Sequence, residues 1–250
     1  MTEAEWLASE DPRPMLAFLR SKVPSRKLRL FVSGCCRQSR WLVSLPGGRE
    51  AIEASESWAD GLLDQDAVQR LTGAIATEAG DLDYDESLLH FSLALGCGDA
   101  YLATFYVMVW LNRCPNPAAE RWCANSLRCL NGHLFPHPSV DRGDKPANWL
   151  SASVAGLLKL FAGSPLDATA AYPRSCVPRT SFAVDPSWLT SDVLALARGM
   201  YESRDFSPMP VLADALQDAG CGSDDILNHC RGDGPHVRGC WVVDLILGQS

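Results

Sequence analysis

Apolar residues recur along this chain at helical spacing, and no run alternates apolar with polar as a half-buried strand would. The sharpest pattern lies in residues 26–44. Wound at a helical period, Leu28, Phe31, Val32, Cys35 and Leu42 fall on one stripe, with Arg26, Arg29, Arg37 and Arg40 opposite. The punctuation around this segment is also helical. Thr2 with Glu5 has capping-box spacing, Asp11-Pro12 opens a helix through Met15, Leu16, Phe18 and Leu19, and Pro46-Gly47-Gly48 breaks the chain. Residues 50–63 and 65–79 read as two amphipathic helices. Residues 88–95 and 101–111 are apolar enough to be buried, and 118–130 and 149–161 add two more helices.

The carboxy-terminal stretch is patterned just as strongly. Asp185-Pro186 leads into a helix through Leu194, Leu196 and Tyr201, and residues 208–219 form another that Gly220 ends. Ser223 with Asp224 and Asp225 caps a third, and Gly234-Pro235 opens a fourth. From Cys240 to Leu247 that fourth helix is apolar on every side except Asp244, which places it centrally and makes Asp244 a buried carboxylate paired with an arginine such as Arg238. The pattern predicts an all-α fold, an irregular multi-helix array with a compact carboxy-terminal unit. Its expected parts are a helical region 1–164, a proline-punctuated connection 165–186 and a four-helix unit 187–250.

Charge refines the picture. The 250 residues carry a formal net charge of −8, which opposes general nucleic-acid affinity. That average conceals a dipole. Residues 20–40 hold seven Lys or Arg and no acid, whereas 50–86 hold eleven Asp or Glu against Arg70 alone. The basic stripe of Arg26, Arg29, Arg37 and Arg40 is the candidate protein-partner surface, set against the alternative that it is solvated or paired with the acidic helices that follow. The acidic start, Met1 to Trp6, has no apolar run behind it and no segment is long enough to span a bilayer, so a cytoplasmic setting without a membrane partner is expected.

Ten cysteines in such a setting are expected to be reduced thiols. They cluster with histidine in two windows: Cys114, Cys123, Cys129, His133 and His137, then Cys221, His229, Cys230, His236 and Cys240. Either window holds enough ligands for tetrahedral zinc, although neither has a Cys-x-x-Cys knuckle. From the second, Cys221, Cys230, His236 and Cys240 form the candidate metal set, against the plainer reading of buried packing thiols. Asp81, Asp83 and Asp85 alternate as in a calcium loop, but Glu86 and Ser92 stand where such a loop needs Gly and Glu. Nucleophile-elbow, phosphate-loop, dinucleotide and His-Glu-x-x-His motifs are missing, and Cys35-Cys36 lies on the apolar side of its helix.

Several phrases together carry a resemblance: Trp6-Leu7 with Asp11-Pro12 and Met15-Leu16, Arg26 to Phe31 leading to Cys35-Cys36-Arg37, Pro210 to Leu216, Asp218 to Cys221, His229 to Gly232 and Gly234 to Trp241. Over about the first 60 and last 65 residues the chain resembles a large, functionally uncharacterised paralogous family of planctomycete bacteria. Residues 210–220 are also distantly similar to the helical repeat-companion segments of those bacteria. The resemblance implies no activity and no catalytic residue. The reading that results is a non-catalytic, cytoplasmic protein-interaction or adaptor module with no favoured cofactor. A zinc-stabilised regulatory helical domain is the alternative, and an enzyme with an unrecognised site comes third.

Overall fold

The computed structural model describes residues 1–20, 22–80, 93–113, 116–132 and 184–249. Among these there is helix and no strand, as the apolar periodicity requires. The predicted helix 149–161, most of the connection 165–186, the acidic triplet Asp81, Asp83 and Asp85, and Cys114, His133 and His137 lie outside the described residues. So does most of the predicted helix 88–95.

The amino-terminal helices are α1 (Glu3–Ala8), α2 (Pro12–Leu19), α3 (Ser25–Gln38), α4 (Arg40–Ser44), α5 (Gly48–Ala59), α6 (Gln65–Gly80), α7 (Ala100–Arg113) and α8 (Pro117–Asn131). Thr2 and Glu5 form both halves of the capping box, and the Asp11 side chain accepts from the backbone N–H of Arg13 above Pro12. Helix α3 is the hub, packed on α5, α7 and α8. It has no side-chain cap, so its stability comes from burial: Leu28, Leu30, Phe31, Val32, Cys35 and Cys36 are all within the core. Each large apolar side chain there contributes about 2 kcal/mol, well above what one cap supplies. The predicted single helix over 26–44 breaks at Ser39, whose side chain instead caps the next helix by accepting from the Leu42 backbone N–H.

The carboxy-terminal unit contains α9 (Ser191–Ser203), α10 (Met209–Asp218), α11 (Asp224–Arg231) and α12 (Trp241–Leu247), preceded by a 3-10 turn at Pro186–Trp188. Val193, Met200, Leu212, Ile226, Val243 and Ile246 fill its core. The fourth predicted helix starts later than Gly234-Pro235: residues 235–240 are non-helical and Cys240 is the N-cap of α12. Helix position alone therefore does not relate His236 to Cys240.

The two ends of the chain touch. Cys129 of α8 belongs to the carboxy-terminal core, and Val237 packs on both cores. Gly239 makes the approach feasible, because it sits at φ +89° and a Cβ there would lie 2.6 Å from Leu30 Cδ1 and 2.9 Å from Leu130 Cδ2. Both features need glycine. No helix among the described residues is long and apolar enough to cross a membrane.

Candidate metal centre and the ionic seam beside it

Helix α8 ends by presenting Cys129 to the carboxy-terminal unit. The last turns of α11 supply His229, the irregular 235–240 segment supplies His236, and the N-cap of α12 supplies Cys240. One ligand atom from each of the four lies within 4.8 Å of the other three. His229 Nε2 is 3.1 Å from Cys240 Sγ, and His236 Nδ1 is 3.8 Å from Cys129 Sγ. Zinc at ordinary bond lengths spans about 3.6 Å between a nitrogen and a sulfur ligand in a tetrahedron, between these two separations. The His229 ring stands edge-on to His236, with centroids 4.9 Å apart, and 5.3 Å from Trp241. Those contacts fix its orientation.

The electrostatics of the group also suit a cation. Burial would raise the Cys240 thiol, but hydrogen bonds from Cys129, His229 and His236 overcome it and hold this thiol well below its ordinary value. Cys129, fully buried and hydrogen-bonded to Cys240, is pushed well up. His236 Nε2 is buried without a hydrogen-bond partner, an orphan that burial makes costly. Two thiolates and two neutral imidazoles would balance a divalent ion, so the residues fit zinc.

This arrangement revises the expected metal set. His236 and Cys240 are in the cluster, whereas Cys221 and Cys230 are buried in the carboxy-terminal core and stand outside the converging group. Neighbouring positions on a helix point about 100° apart. On α11 His229 therefore faces the cluster while Cys230 turns into the core, where burial raises its thiol. Cys129 and His229 were within the two enriched windows, but no spacing rule joins residues 107 positions apart, as Cys129 and His236 are.

A second contact between the ends is ionic. Asp244 of α12, 3% exposed, accepts from Arg26 Nη1 at 2.6 Å and from Lys27 Nζ, so its partners are on α3 and not Arg238. Arg26 Nε also reaches Asp60 at 2.9 Å, and its Nη2 donates to Tyr201 and Gln249, each at 2.6 Å. Arg238 bridges Glu56 at 3.1 Å and Asp60 at 2.9 Å and lies over the Tyr201 ring. Glu56 also accepts from Arg37 and Arg204, both at 2.6 Å. Burial would raise the Glu56 carboxyl, but Arg37 and Arg204 outweigh it and hold it below its usual range. Burial pushes the Tyr201 hydroxyl up to about 12, reinforced by its hydrogen bond to Asp60.

The basic stripe is accordingly turned inward, unlike the open partner surface the helix pattern suggests. Arg26 and Arg37 pair with carboxylates, and Arg29 donates to the backbone oxygens of Cys97 and Gly98 with its guanidinium 3.4 Å from the Trp58 ring centroid. Arg40 alone of the four is exposed. The physical reason is the complementary acidic helix: α5 packs directly on α3 and brings Glu56 and Asp60 against it. Cys35 and Cys36 are fully buried, with burial raising both thiols, which makes them packing residues and poor nucleophiles. No protein-family model, curated protein or solved structure matches the chain.

Proposed function

We propose that the chain is a non-catalytic, zinc-stabilised helical module in which one Zn²⁺, held by Cys129, His229, His236 and Cys240, pins the carboxy-terminal unit to α8. The observation that carries this reading is the convergence of those four ligand atoms within 4.8 Å. Four protein ligands close a tetrahedron, and a closed site stabilises a fold without offering a position for water or substrate. Bound there, the ion supplies charge compensation for two buried thiolates and a cross-link between distant parts of the chain. The adaptor reading drew on the basic stripe as a contact surface. With Arg26, Arg29 and Arg37 engaged inside the fold, the metal centre supports the stronger reading.

The experiment is metal analysis of protein purified without a polyhistidine tag, with cobalt substitution as a geometric probe. About one equivalent of zinc, and the visible absorption of tetrahedral cobalt, are expected for the wild type. Cys129→Ala and His236→Gln should lose both, while Cys221→Ala and Cys230→Ala retain both. Less than about 0.2 equivalents in the wild-type protein overturns the reading.

A further inference from the structure

Beside the candidate metal centre, with His236, Val237 and Arg238 of the 235–240 segment in its wall, lies a cavity of about 150 Å³. Arg37, Arg204, Arg238 and Glu56 form its charged lining, and Trp122 and Phe206 contribute aromatic walls. Glu56 is the carboxylate in this lining, and it already accepts from all three guanidiniums. Among the described residues of the seam, Arg26, Lys27, Arg37, Arg204 and Arg238 face Glu56, Asp60 and Asp244, so five cations less three anions leave a surplus of two positive charges. Glu53, at 4.0 Å from Arg37, is a half-exposed neighbour at the edge and offsets only part of it.

The donors are also incompletely used. Arg37 Nη2, which has Glu53 at 4.0 Å, and Arg238 Nε are buried without a hydrogen-bond partner among the described residues, and both belong to residues of this lining. An unsatisfied buried donor is costly, and two of them on adjacent guanidiniums with surplus positive charge describe a receptor for an anion. Planar guanidinium forks match the oxygen spacing of a phosphate or sulfate. Size narrows the class further, because pockets for drug-sized ligands and cofactors run to roughly 300–1,000 Å³. The volume suits an anion of a few heavy atoms.

We propose that this cavity binds a single small oxyanion of the phosphate class, gripped by Arg37, Arg204 and Arg238. The anion occupies the seam between the amino-terminal helices and the carboxy-terminal unit, where it completes the charge balance that Glu56 and Asp60 begin. The site stands on the arginines and is independent of whether zinc is bound, although His236 lies in the cavity wall.

Calorimetric titration of the full chain with inorganic phosphate, repeated with sulfate, in buffers matched in ionic strength with chloride, tests it. Saturable one-to-one binding is expected. Arg37→Gln removes a donor and should weaken it about tenfold or more, the effect of losing one charge-assisted hydrogen bond. Gln38→Glu adds a negative charge at an exposed position of the lining without touching the ion pairs, and should weaken binding roughly fivefold. Absence of phosphate and sulfate binding above the chloride control overturns the proposal, as does wild-type affinity in both variants. Zinc content measured on the same samples separates the two readings: phosphate binding by protein without zinc upholds this site and sinks only the metal centre.

Discussion

Two seams hold the carboxy-terminal unit against the amino-terminal helices, and they are built on opposite principles. The ionic seam is assembled from acidic and basic side chains, and Asp244, Glu56 and Asp60 find their partners within the chain. The Cys129, His229, His236 and Cys240 cluster instead brings two thiols and two imidazoles within 4.8 Å of one another. In one seam the carboxylates are paired as folded; the other gathers four side chains able to ligate a cation. The contrast teaches that a strongly charged sequence feature can be turned inward and paired within the fold, while a plain set of thiols and imidazoles converges on one point from distant parts of the chain.

The largest expected effect separates the seams by removing the ion. Where free zinc stands about 1,000-fold above its Kd, stripping the metal should cost about 4 kcal/mol, read as a fall in Tm by calorimetry. An unchanged Tm after complete removal would show that the cluster needs no ion. Next in size is Asp244→Ala, which leaves Lys27 in a buried site without a carboxylate and Arg26 with Asp60 alone. Breaking a buried pair by removing one partner costs about 3–5 kcal/mol, and urea midpoints should report it while zinc content stays whole.

The pH dependence of the ionic seam follows from Glu56. Its folded carboxyl is held below the ordinary 4.5, so the folded state favours the charged form. The stabilisation is fully present above pH 4.5 and is lost as pH falls through the lower folded value. Glu56→Gln should flatten this part of a plot of urea midpoint against pH. An unaltered acid slope would remove Glu56 from the account. Smaller again, Cys230→Ala should cost only about 1 kcal/mol, the scale of an ordinary core truncation, with zinc retained. Smallest is Arg40→Gln, the exposed member of the stripe, which should stay within about 0.5 kcal/mol of wild type in the same denaturation assay.

Much of the fold was legible because burial follows local periodicity. Leu28, Phe31, Val32, Cys35 and Leu42 share a stripe in the sequence and are all buried in the structure. Caps at Thr2 and Asp11 act within three residues, so local sequence suffices to place them. The site was legible only in part. His236 and Cys240 could be singled out from enrichment in one window, but choosing His229 over Cys230 required knowing which side of α11 meets α12. Cys129 required the packing of α8 on the carboxy-terminal unit, which no local spacing encodes. The break at Ser39 and the late start of α12 were missed because apolar period continues through both, while a side-chain cap and an irregular 235–240 segment decide the backbone.

By itself the sequence determined an all-α chain, the buried face of its central helix and the burial of Asp244, because each depends on short-range periodicity and the free energy of removing apolar surface from water. Only the tertiary structure decided that Arg26 and Lys27 serve Asp244, and that Cys129 joins His229, His236 and Cys240. Electrostatic and metal-ligand contacts act over a few ångströms in space regardless of separation along the chain. Their partners are fixed by how helices pack.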